Sequence, residues 1–76
     1  MVFTREKNME LAFEYLIKEL KCYYGMNGSN YKMVGFYSDQ HIKLREKADN
    51  FNMINIADKY YDMIDDLIYK IAGGEE

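Results

Sequence analysis

The chain has 76 residues, 10 Lys and Arg against 13 Asp and Glu, a formal net charge of −3 and 16% aromatic residues. With one cysteine, one histidine and no proline, neither an internal disulfide nor a Cys/His metal cluster can be built within one chain. Its apolar and aromatic content is too high for a disordered segment, and no apolar run nears the roughly 18 residues needed to span a membrane.

The first element in chain order is a helix within Phe3–Tyr24. Met9, Ala12, Phe13, Leu16, Leu20, Tyr23 and Tyr24 repeat at the i, i+3, i+4, i+7 spacing of one buried face. Thr4 can cap it by accepting from a first-turn amide. Glu6, Glu10 and Glu14 suit its positive end, Lys18 and Lys21 its negative end, and Glu14–Lys18 has the favourable i, i+4 order. Gly25 is the expected left-handed terminator, with Met26 folding back on Leu20.

Gly25-Met26-Asn27-Gly28-Ser29-Asn30 then reads as a loop. The stretch Tyr31–Tyr37 is irregular or strand-like, open to a short strand, an extended arm or a distorted helical turn. A lone strand has no partner in a helical monomer, so it would pair with Met1–Thr4 or with a second chain.

Ser38 or Asp39 is positioned to cap a second helix running to Asn50, with Ile42, Leu44, Ala48 and Phe51 on its apolar side. This pattern is sparse, which predicts the most solvated of the helices. Asn50, Phe51 and Asn52 break it, and Asn52 can cap the next. The third helix, within Met53–Ala72, carries a wide stripe of Ile56, Ala57, Tyr60, Ile64, Leu67, Ile68 and Ile71 and stops at Gly73, leaving Gly74-Glu75-Glu76 as a frayed tail. The expected fold is mostly α: one compact three-helix domain over residues 1–76. Leu16, Leu20, Ile64 and Leu67 should sit almost fully buried between the first and third helices. A single core this small rarely supplies more than about 3–5 kcal/mol, so self-association as a homodimer is also expected.

Catalytic chemistry finds little support. His41 beside Ser38 and Asp39 resembles a triad set, but a triad converges from distant positions and does not crowd one helical turn. His41 is expected as a surface or capping histidine. Cys22 lies toward a helix C-terminus, where the dipole disfavours a thiolate, and a structural role is expected. Glycines 25, 28 and 35 match neither phosphate-loop nor dinucleotide spacing. No enzyme activity, cofactor or metal is therefore expected. Met1-Val2-Phe3-Thr4-Arg5 lacks the features of a secretory signal, so the expected location is cytoplasmic.

Two features point to binding. Asp58, Asp62, Asp65 and Asp66 form an acidic ridge at helical spacing; it reads as a solvated face partly paired to Lys59, Lys70 or the second helix, or as a surface facing a basic partner. Tyr23, Tyr24, Tyr31, Phe36 and Tyr37 could gather at the loop between the first two helices, to close the core or to anchor a partner. Tyr24, Tyr31 and Tyr37 join the four aspartates as candidate partner-binding residues.

Asn52–Ile71 faintly resembles a helix-turn-helix, but Asp62, Asp65 and Asp66 would face phosphates and Tyr61 occupies the turn glycine's place. Residues 1–50 hold eight basic against seven acidic residues, and residues 51–76 hold two against six. A nucleic-acid-reading face should be basic, so one uninterrupted helix is expected. In size and composition alone, the chain resembles the small acidic proteins of phages and mobile elements that disable host machines, anti-CRISPR proteins among them. That resemblance implies a non-enzymatic inhibitor binding a host protein complex. The alternative is a small homodimeric regulator that contacts nucleic acid through Lys43, Arg45 and Lys47 of the second helix.

Overall fold

In the computed structural model, which describes residues 4–74, helix α1 runs Arg5–Asn27. A 3-10 turn at Tyr31–Met33 feeds directly into α2, Val34–Asn50, and α3 covers Ile54–Ile71. The mostly helical, three-helix architecture holds. The pairing imagined with Met1–Thr4 and the tail at Gly74-Glu75-Glu76 fall largely outside the described residues.

Thr4 caps α1 by accepting from the Lys7 amide at 3.0 Å. The helix does not stop at Gly25, and Met26 is 84% exposed instead of folding back on Leu20. It ends three residues later at Gly28, whose φ of 69° and ψ of −153° lie in a region essentially reserved for glycine. A glycine ends a helix only when the chain turns there, and Asn27-Gly28 offers the better exit. The Gly28 amide still donates to the Tyr24 carbonyl at 2.8 Å, and the Asn27 side chain donates to the Tyr23 carbonyl at 3.2 Å.

Residues 31–37 are not a strand. Asn30 accepts from the Lys32 amide through its side chain and from the Met33 amide through its carbonyl, which starts the 3-10 turn. With no edge to pair with among the described residues, β-branched and aromatic residues take the conformation that satisfies their own backbone groups. α2 therefore begins four residues before Ser38, which sits inside the helix and caps nothing. Asn52 is likewise not a cap. It takes a positive φ of 59° in the turn after α2, and Met53 precedes α3.

The core is a single cluster. Phe13, Leu20, Ile64 and Ile71 are fully enclosed, and Leu16 and Leu67 are buried as expected. α3 lies between the other two and packs on both, while α1 and α2 run antiparallel and meet only lightly. From α2 the core takes Tyr37, His41 and Ala48, with Leu44 partly covered; Ile42 and Phe51, expected inside, are 54% and 45% exposed. α1 and α3 are further sealed by Phe13 stacked on Tyr60 at 5.7 Å and by the Tyr60 hydroxyl donating to Glu14 at 2.9 Å. That bond, not an i, i+4 pair with Lys18, occupies Glu14. Burial and the Glu14 and Glu10 carboxylates push the Tyr60 phenol up to about 12.

Candidate functional site

α3 is uninterrupted from Ile54 to Ile71, which removes the helix-turn-helix reading. Its inward stripe is entirely spent on the core. Asp58, Asp62, Asp65 and Tyr69 stand at i, i+4, i+7 and i+11 and so share one outward flank, beside Tyr61 and Ile54. All four carboxylates of the ridge are exposed. Asp58 meets Arg45 at 3.3 Å, and Asp66, on the far side of the ridge, meets Lys70 at 3.6 Å. Asp62 and Asp65 have no ion-pair partner among the described residues. Tyr61, Tyr69 and Ile54 add partly exposed apolar surface to this flank.

The aromatic cluster divides. Tyr23 packs edge-on to Tyr37 at 5.6 Å, and Phe36 meets Tyr37 at 5.2 Å. Tyr37 is only 4% exposed, so it is a core residue and presents nothing to a partner; burial, with Glu19 and Tyr23 nearby, raises its pKa. Tyr24 is half-buried against the core. Tyr31 is 78% exposed on the 3-10 turn. Asn30, which sequence reasoning passed over as loop, organises this end. Its side chain donates to the Tyr23 hydroxyl at 2.7 Å and its amide to the Ile71 carbonyl at 2.8 Å. With the Ser29 hydroxyl donating to the Lys70 carbonyl, the loop satisfies the carbonyls at the end of α3.

His41 is neither surface nor cap. It is buried between α2 and α3 with its Nε2 unpartnered, beside the Tyr61 ring at 5.4 Å. Ser38 and Asp39 share its helix but make no hydrogen bond with it. Burial, then the Arg45 charge, lowers its pKa, and Asp65 opposes them. Cys22 is exposed and not part of the core. The basic residues of α2 do not make one patch. Arg45 lies over the Tyr61 ring at 4.9 Å on the α3 side, whereas Lys43 and Lys47 border the opposite groove toward α1. A surface for phosphates would need them together.

Among the described residues no three His, Cys, Asp or Glu side chains gather as metal ligands, and no helix is long and apolar enough to cross a membrane. Compared with protein families, curated proteins and solved structures, the chain gives no match.

Proposed function

We propose that this chain is a non-enzymatic protein-binding module that presents the outward flank of α3 to a basic surface on its partner. The observation that carries this reading is the placement of Asp62 and Asp65, unpaired and exposed, on one flank with Asp58, Tyr61 and Tyr69. Like charges at helical spacing weaken a helix by a few tenths of a kcal/mol per pair. A basic partner would turn that cost into attraction, and exposed tyrosines would add contact area at low entropic cost. The sharper form of the reading is an inhibitor that occupies a nucleic-acid-holding surface of a host complex, in the manner of anti-CRISPR proteins. Small size, acidic balance and this flank support it. Contact with nucleic acid through α2 is not carried forward, because its three cations diverge.

The test is the association rate of the Asp62→Asn, Asp65→Asn double variant with the partner recovered by pull-down. We expect slower association with a flatter salt dependence, while the melting temperature stays the same or rises. An unchanged on-rate would overturn the reading.

A further inference from the structure

A second surface lies away from that flank. Because α1 and α2 lean on α3 and only lightly on each other, a groove stays open between them. Two concavities of about 280 Å³ each meet end to end, sharing Ala12 and Lys47 as their common lining. Met9, Leu16 and Leu44 supply an apolar floor. Arg5 over the Phe51 ring marks one end, and Glu19 with Gln40 the other, just before the Tyr23–Tyr37 contact closes it. The charged side chains along it are Arg5, Lys43 and Lys47 against Glu19 alone. This is a net basic channel on a chain of net charge −3. Lys43 also touches Asp39 at 3.1 Å, but both partners are largely exposed, and such a pair contributes little.

We propose that this groove receives an amphipathic helix with acidic flanks from a partner protein, making the module bivalent. The walls are helices whose backbone groups are already paired, so an extended peptide would find no edge to join, whereas a helix brings its own hydrogen bonds. From Arg5 to Glu19 the wall is about 21 Å long at 1.5 Å per residue, which matches an occupant of about 14 residues. Ala12 is the saddle on the α1 side: its methyl group stands, opposite the exposed Lys47 of α2, where the two concavities meet, so an incoming helix can approach α1 closely there and seat a large apolar side chain on either side. The basic rim selects Asp and Glu on the occupant's flanks. A second copy is a poorer occupant, since α1 and α3 spend their continuous apolar stripes on the core and α2 has only a sparse one.

The probe is a synthetic stapled helix of about 14 residues with Leu at i, i+4, i+7 and i+11 and Glu on both flanks, beside an isomer flanked by Lys. Fluorescence anisotropy should show saturable, salt-weakened binding of the Glu helix only. Ala12→Arg, which fills the saddle, and the Lys43→Glu, Lys47→Glu pair should each weaken it by about tenfold or more. The charge pair is exposed, so it carries the test if Ala12→Arg does not fold by circular dichroism. Asp62→Asn, Asp65→Asn should leave peptide binding unchanged, which separates this site from the α3 flank; loss of binding there would overturn the assignment. So would no saturable binding, equal binding of the Lys isomer, or indifference of folded Ala12→Arg. Sedimentation of the protein alone as a dimer that Ala12→Arg dissociates would assign the groove to a second copy and overturn it too.

Discussion

His41 shows how one residue can set a pH dependence for the whole domain. It is buried with an unpartnered nitrogen, and its pKa in the fold lies below the ordinary 6.5. Below that value the unfolded chain binds more protons than the folded one, so stability falls as pH drops. The groups that face it are Arg45 on its own helix and Tyr61 and Asp65 on α3; Arg45 makes protonation costlier, and Asp65 relieves it. We expect thermal melts at about pH 7.5 and about pH 5.5 to differ for the wild type and to converge for His41→Leu, which has nothing to protonate. A wild-type melt that is flat across this range would contradict the account. Core packing operates at the same scale. Ile64 is fully enclosed and Leu16 nearly so, so truncating either to Ala should cost about 2–5 kcal/mol by denaturant titration. A loss below about 1 kcal/mol would mean that the core collapses around the missing atoms.

At the scale of elements, two glycines near the end of α1, one inside the helix and one just past it, separate helix propensity from chain geometry. Gly25 lies inside the helix, and a Cβ there would meet nothing within 4 Å. Gly25→Ala should therefore stabilise by about 0.5–1 kcal/mol. Gly28 holds the positive φ that ends the helix, and Gly28→Ala should cost about 1–3 kcal/mol. Equal effects at the two positions in urea titration would show that the helix ends elsewhere in solution. α2 continues directly from the 3-10 turn that Asn30 caps through the Lys32 amide, and has no side-chain cap of its own.

The whole molecule is flattened, with principal extents of 39, 24 and 17 Å. Its radius of gyration of 13.0 Å exceeds the roughly 11 Å of a spherical chain of this length. A long α1 and a central α3 with two flanking helices account for that shape. They also make α3 indispensable, because without it α1 and α2 have little to hold them together. A fragment covering residues 1–52 should show little helix by circular dichroism, since isolated helices of this length are marginal in water. A well-folded fragment would place the core elsewhere.

Periodicity was enough to establish three helices, the buried stripe of α3, the Thr4 cap and the break at Asn50–Asn52, because each depends on neighbours within a turn or two along the chain. Other features came from distant segments meeting. Glu14 was legible as a partner for Lys18, yet it accepts from Tyr60 across the α1–α3 seam. Tyr31–Tyr37 carries strand-forming residues, but among the described residues no edge receives them, and the stretch is helical. His41 looked like a surface residue until α3 covered it. Of the candidate surface, the aspartates' shared flank was readable from spacing, whereas the removal of Tyr37 into the core was not. Neither was the division of Lys43 and Lys47 from Arg45. Local spacing determines which residues share a helix face; only packing against α3 decides which faces are covered, because burial is set by partners far away in the chain.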